Sequence, residues 1–196
     1  MLPAEPSTVI RRRWPTVLRP MNSIPDNPES DPLKRAPGMG WRVTIERGIA
    51  HGRIPRTLIS DLLGRVGREE SATGEVRLIV VDNRKMRQLN RRFRNKDRAT
   101  DVLSFPSGPA FPSREERDAI GEVYCNLDHA REWARAHGGS QSAELARLAV
   151  HGCLHLLGYR HHTARERRAM MTRENRYLAA AGLIASRTLD GNDHAV

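Results

Sequence analysis

The segment HGCLHLLGYRHH (residues 151–162) places histidines at 151, 155 and 161, with Gly158 between the second and the third. Residues four apart on a helix lie on one face, about 5–6 Å from each other, so His151 and His155 can converge on one ion. Gly158 can adopt the left-handed conformation that ends a helix, which would bring His161 back to the same place. Three protein ligands leave one position of a tetrahedral zinc open, as in catalytic sites. The segment therefore predicts a metal centre at the end of a helix.

The residue after the first histidine argues against one class of metal enzyme. Zinc proteases with the H-E-x-x-H motif use a glutamate there as general base, whereas this chain has Gly152. Peptidase chemistry is therefore not expected. At the other end of the segment, His162 competes with His161 for the third ligand position, and the spacing after Gly158 favours His161.

Composition and charge favour a single-domain protein with a polyanionic partner. The 196 residues have a formal net charge of +10 and a pI of about 10.8, with 30 arginines against 3 lysines. Excess positive charge suits nucleic acid, the commonest polyanion. Two cysteines, Cys125 and Cys153, do not make a disulfide framework, and no apolar run reaches the length of a membrane span. A cytoplasmic enzyme without a membrane partner is the expectation.

Hydrophobic periodicity predicts an α/β (α+β) domain over residues 41–183, in which a small mixed sheet packs with helices. Residues 1–40 hold eight of the twelve prolines, which predicts a disordered, basic and proline-rich extension. Residues 184–196 are predicted to be a flexible tail. Strands are expected at 41–46, 75–81, 102–105 and 122–126, and helices at 55–68, 83–92, 127–137, 143–157 and 163–181.

A dense basic run, RKMRQLNRRFRNKDR (residues 84–98), contains eight basic side chains and one acid. Arginine can hold a phosphate through two hydrogen bonds and can stabilise charge that develops during phosphoryl transfer. Charge runs are commonly just solvated faces, but a predicted metal centre in the same chain favours a phosphodiester substrate. The candidates for RNA contact are Arg91, Arg92, Lys96 and Arg98.

Three stretches together resemble the YbeY family of metal-dependent, single-strand-specific endoribonucleases. They are LNRRFRNKDRATDVLSFP (residues 89–106), GEV (residues 121–123) and the histidine segment (residues 151–162), and the resemblance spans about residues 41–182. It implies that His151, His155 and His161 hold one Zn²⁺ per chain, and that Arg94 is a catalytic residue in the active cleft. It also implies single-stranded ribosomal RNA as substrate, maturation of the small-subunit rRNA 3′ end, ribosome quality control, and ribosome-associated partners.

One position departs from the family pattern. The family usually has GYDH at the end of the histidine segment, and this chain has Arg160 in place of the aspartate. That aspartate would be a candidate hydrogen-bond partner or helix cap for the third ligand. A cation there is expected either to weaken zinc binding or to add a phosphate contact.

Two other classes share part of this pattern. An rRNA-binding ribosome-assembly factor with a structural zinc predicts RNA binding without turnover. A metal hydrolase acting on small phosphates or peptides predicts no competition by RNA, and it gives no reason for the basic run. Within the endoribonuclease hypothesis, the attacking group is either water or the RNA 2′-hydroxyl, and the residues do not decide between them.

Overall fold

The computed structural model describes residues 40–49, 52–107 and 119–183. Within these residues, strands and helices follow one another in the order β1 α1 β2 α2 β3 β4 α3 α4 α5. The predicted extension (residues 1–40, apart from Gly40) and tail (residues 184–196) lie outside the described residues. The strands are β1 (Trp41–Arg47), β2 (Gly74–Val81), β3 (Val102–Pro106) and β4 (Ala119–Asn126), and the helices are α1 (Arg56–Glu69), α2 (Asn83–Arg94), α3 (Leu127–Ala136), α4 (Gln141–Leu156) and α5 (Ala164–Ala180).

The four strands form one mixed sheet in the order β1-β2-β4-β3. Strand β2 is parallel to both β1 and β4, whereas β3 runs antiparallel to β4 and occupies an edge. This confirms the predicted fold class. All four strands and five helices fall close to their predicted positions, and the largest difference is β4, which begins three residues earlier than its hydrophobic pattern indicates.

The sheet separates two cores because alternate residues of a strand point to opposite faces. Val76, Leu78 and Val80 of β2 face the large core, which is built by α1, α3, α4 and α5. Ile79 and Val81 face a smaller core, to which α2 contributes Met86, Leu89 and Phe93. Helices α4 and α2 therefore lie on opposite faces of the sheet.

Short polar side chains at the helix starts explain why the helices begin where they do. Asp82 accepts from the Lys85 backbone N–H at 2.7 Å at the start of α2, and Ser140 accepts from Ala143 at the start of α4. At α5, Thr163 and Glu166 form a reciprocal capping box. Within the described residues, no helix has the length and apolar character required to cross a membrane.

Candidate metal centre

The three histidines of the predicted metal centre come together in the structure. His151 and His155 lie one turn apart near the end of α4, and His161 lies in the connection to α5. Each of the three offers one ring nitrogen that could bind a metal ion, and these nitrogens all lie within 4.8 Å of one another. All three residues are half-buried. In the described parts of the chain this is the sole group of its kind, and it includes His161 rather than the exposed His162. The three residues could hold a metal ion.

The chain reversal after α4 brings the third histidine back, as the sequence predicts. Gly158 has φ +94°, a left-handed conformation that other residues rarely adopt. The Tyr159 N–H donates to the Leu154 carbonyl at 3.0 Å, and the Gly158 N–H donates to the His155 carbonyl at 3.1 Å. This pair of bonds is the Schellman arrangement of a helix end. The reversal and the capping box of α5 together fix the short segment that carries His161.

Hydrogen bonds to Nδ1 of His151 and of His155 decide which nitrogen of each ring can bind a metal ion. The His155 Nδ1 lies 2.9 Å from the Tyr159 carbonyl, and the His151 Nδ1 lies 2.9 Å from Oε2 of Glu174. Both partners are acceptors, so both Nδ1 atoms carry protons, and Nε2 is the nitrogen that each ring has for binding a metal ion. Those two Nε2 atoms face each other at 3.1 Å. A cation can bind between these two Nε2 atoms. Because a third histidine lies beside them, a metal ion fits the group better than a proton.

The protonation behaviour of the rings also suits metal binding. Burial, followed by the neighbouring His151 and His161, lowers the pKa of His155 to about 3. Burial and the nearby His151 also lower the pKa of His161 below its ordinary value. Both rings are therefore neutral near pH 7 in the absence of metal, and the neutral imidazole is the form that binds a metal ion.

Gly152 has a structural reason to lack a side chain. It lies where α4 crosses the sheet, and the Ser104 hydroxyl donates to its carbonyl at 3.0 Å. A Cβ atom at residue 152 would lie 2.4 Å from Cγ1 of Val123 and 3.1 Å from Cγ2 of Val102. A glutamate at this position could not be accommodated against the sheet. The absence of the protease general base is therefore a consequence of how α4 packs.

We expect Gly152→Ala to lower the free energy of unfolding by about 1–3 kcal/mol, because the added methyl group would push α4 away from β3 and β4. Gly64→Ala is the matched control in α1, where the nearest atom to the new Cβ is the flexible end of Arg68 at 3.5 Å. That control should be neutral or stabilising by up to about 1 kcal/mol. Urea denaturation of both variants measures the difference, and equal stabilities would contradict the packing.

The basic run lies on α2 and the segment that follows it. Arg91, Arg92, Arg94 and Arg98 are exposed, and Lys96 is half-buried. The guanidinium of Arg92 lies 5.3 Å from the centre of the Phe93 ring, which itself packs on Phe105.

Arg94 is the last residue of α2, on the opposite sheet face from the histidines. Within the described parts of the chain it forms no ion pair and no side-chain hydrogen bond, so its catalytic role stays a prediction. The chain from Arg94 runs directly into β3, whose Val102 packs beside Gly152 of α4. The basic run is therefore joined through residues 95–101 to β3, the edge strand against which α4 packs.

Arg160, the departure from the family pattern, points towards backbone carbonyls. Its Nη1 donates to the His155 carbonyl at 3.2 Å and to the Tyr159 carbonyl at 3.4 Å. A cation at the last carbonyls of a helix interacts favourably with the helix dipole. Its charge is also among the causes, after burial and the other histidines, that lower the pKa of His155. Arg160 thus contributes to the end of α4 while leaving a positive charge near the histidines.

A buried ionic network behind His151 is not among the sequence predictions. It consists of Glu144 and Arg147 of α4 and Glu174 of α5, which are 2%, 8% and 8% exposed. Burial alone would raise the pKa of Glu174, but His151 and Arg147 outweigh it and lower the pKa to about 2. The available signal was the i, i+3 spacing of Glu144 and Arg147 on a helix whose apolar residues predict burial. The participation of Glu174 depends on how α5 packs against α4.

The fold and the site define a class of protein: an α/β protein with a three-histidine group, at the end of a helix, that could hold a metal ion. A family model described as Endoribonuclease YbeY matches residues 51–182. The chain therefore belongs to the YbeY endoribonuclease family, as its sequence motifs predict.

Curated relatives agree with this assignment. A Myxococcus xanthus protein called Endoribonuclease YbeY is 37% identical over 146 residues, which are 73% of this chain and 49% of that protein. One from Carboxydothermus hydrogenoformans with the same name is 42% identical over 115 residues, 59% of this chain and 78% of that protein. The chain thus spans about half the length of the first relative and about three quarters of the second. A solution structure of a Thermotoga maritima protein aligns with 76% of this chain and 99% of its own, at 24% identity and a TM-score of 0.49.

Proposed function

We propose that this protein is a zinc-dependent endoribonuclease that cleaves single-stranded RNA, acting in the cytoplasm on ribosomal RNA at the 3′ end of the small-subunit molecule and in ribosome quality control. The observation that carries the proposal is the convergence of three histidines, two of which have their Nε2 atoms 3.1 Å apart. Family membership supplies the substrate class, because the curated relatives are called endoribonucleases. Ribosome-associated proteins are the proposed partners.

Each part of the site has a proposed task. His151, His155 and His161 would bind the ion through neutral imidazole nitrogens. Zinc, when bound, supplies a Lewis acid next to the scissile phosphate. Arg94 would stabilise the negative charge that develops on the phosphate oxygens. The other basic side chains, Arg91, Arg92, Lys96 and Arg98, would hold the strand through its phosphates, and three of these four are exposed to solvent.

The test is cleavage of defined RNA by the purified full chain loaded with Zn²⁺. We expect single-stranded RNA to be cut and duplex RNA of the same sequence to stay intact. A chelator should abolish cleavage, and added Zn²⁺ should restore it. The ends of the products identify the attacking group, because a 2′,3′-cyclic phosphate arises from the 2′-hydroxyl and not from water.

Two outcomes would replace the proposal. Tight RNA binding without cleavage by the fully metal-loaded protein would favour the ribosome-assembly factor, with zinc in a structural role. Turnover of small phosphate esters that RNA does not inhibit would favour a small-molecule hydrolase.

The basic run leads to a separate prediction about how RNA affinity depends on salt concentration. Each single-strand phosphate contact contributes about 0.7 to the slope of log affinity against log salt concentration. The double variant Arg91→Ala, Arg98→Ala should therefore lower the magnitude of that slope by up to about 1.4, measured by fluorescence anisotropy in chelator to prevent cleavage. Arg135→Ala removes an equally exposed arginine from α3 and is the matched control. An equal change in slope for both variants would show that the run has no special part in binding.

A further inference from the structure

Glu174 is placed to control the orientation of one histidine of the metal centre. Its Oε2 lies 2.9 Å from Nδ1 of His151, on the side of the ring away from the Nε2 that faces His155. A hydrogen bond at Nδ1 fixes the tautomer and limits rotation of the ring. Because Glu174 belongs to α5 and His151 to α4, this contact also joins the two helices.

Arg147 holds the carboxylate of Glu174 in place. Its Nη1 donates to Oε1 of Glu174 at 3.1 Å, so each oxygen of that carboxylate has its own partner. The same guanidinium holds Glu144 through two bonds, at 2.6 and 2.8 Å. With both oxygens held inside the protein, Glu174 cannot easily turn away from His151.

The charges of this network do not balance. Two carboxylates, Glu144 and Glu174, share one guanidinium, that of Arg147, so these three side chains together have a formal charge of −1. A buried charge without compensation is costly in a protein interior. A divalent cation on the other side of the His151 ring would supply the missing positive charge.

The second helical histidine has a different partner. The Nδ1 of His155 is held by the Tyr159 carbonyl, which is uncharged and also accepts from Arg160. Tyr159 is anchored in turn by its hydroxyl, which donates to Glu70 at 2.7 Å. Of these two ligands, His151 is therefore the one with an anionic partner. An anionic partner makes an imidazole a stronger donor to a metal ion.

We propose that Glu174 is the positioning residue of the metal centre: held by Arg147, it orients Nε2 of His151 towards the ion and places a negative charge behind that ligand. This inference rests on the metal site of the proposed function, and it assigns a task to a residue outside the histidine segment. Metal binding and the docking of α5 on α4 are coupled through this residue.

The experiment measures the Zn²⁺ affinity of the full chain by competition with a chromophoric chelator. Glu174→Gln keeps an acceptor for the Nδ1 proton and removes the charge, so we expect about 10-fold weaker binding. Glu174→Ala removes both and should weaken binding by up to about 100-fold. In the alanine variant Arg147 stays paired with Glu144, so the remaining buried charges balance. Visible absorption of Co²⁺-loaded protein adds a readout of ligand geometry, which should change more for alanine than for glutamine.

Tyr177→Phe is the matched control, since it lies on the same helix, is fully buried, and loses one hydrogen bond to Glu70. It should lower thermal stability while binding Zn²⁺ within twofold of wild type. If Glu174→Ala is folded and binds within twofold of wild type, the proposal is overturned. If Glu174→Ala does not fold, the glutamine variant decides by the same criterion. A wild-type chain that binds no Zn²⁺ would instead overturn the metal site of the proposed function.

Discussion

His155→Ala should abolish high-affinity Zn²⁺ binding and lower the rate of RNA cleavage by at least about a thousandfold. His155 and His151 are the two proposed ligands that α4 supplies, and their Nε2 atoms lie 3.1 Å apart. A bound metal contributes several kcal/mol to stabilising charge on a phosphate, and each 1.36 kcal/mol is a factor of ten in rate. Metal analysis of the purified variant and a single-turnover cleavage assay measure the two effects.

The control for this variant is His162→Ala, one residue beyond the third histidine. His162 is exposed and lies outside the group formed by His151, His155 and His161. We expect its removal to change zinc affinity and cleavage rate by less than threefold, whereas His161→Ala should resemble His155→Ala. Circular dichroism verifies that each variant is folded. If His162→Ala lost zinc and His161→Ala kept it, the assignment of the third ligand would be wrong.

Arg94→Ala should lower the single-turnover cleavage rate by about 100- to 1,000-fold while zinc affinity stays within twofold of wild type. A donor that stabilises charge in the transition state has an effect of this size when it is removed. Arg94 is exposed and belongs to α2, so its loss leaves the histidines and their hydrogen bonds intact. The loss should appear in kcat more than in KM, because a transition-state contact is weaker in the bound substrate.

Arg91→Ala is the comparison within the same helix. It removes the same charge from an exposed residue one turn earlier, and as a strand-binding residue it should raise KM with little change in kcat. Arg94→Lys keeps the charge but cannot form two parallel hydrogen bonds to one phosphate, so it should recover only part of the rate. If Arg94→Ala and Arg91→Ala gave the same kinetic pattern, Arg94 would be one phosphate contact among several.

Local sequence signals were sufficient for the elements and for the convergence of the three histidines. The spacing of His151, His155 and His161 around Gly158 predicts their convergence, because both a helical turn and a left-handed reversal are local structures. The capping box at Thr163 is local as well, and it fixes where α5 begins.

Contacts between helices could not be read from the same signals. Glu174 meets Arg147 and His151 across the interface of α5 with α4, at separations of 27 and 23 residues. No periodicity within either helix predicts such a pairing. The need for glycine at residue 152 also depends on contacts between elements, because a side chain there would collide with Val123 of β4 and Val102 of β3. For Arg160, the sequence predicts a positive charge near the histidines. It does not predict that the side chain donates to the carbonyls at the end of α4, because that contact depends on how the helix ends.

We propose that one zinc ion held by three histidines makes this chain a ribonuclease. The most direct test titrates the metal-free full chain with Zn²⁺ and measures bound zinc and single-strand RNA cleavage in the same samples. We expect a cleavage rate that rises in proportion to bound zinc and stops rising at one ion per chain. Full loading at one ion per chain with RNA bound and uncut, or cleavage that is already complete before zinc is added, would contradict it.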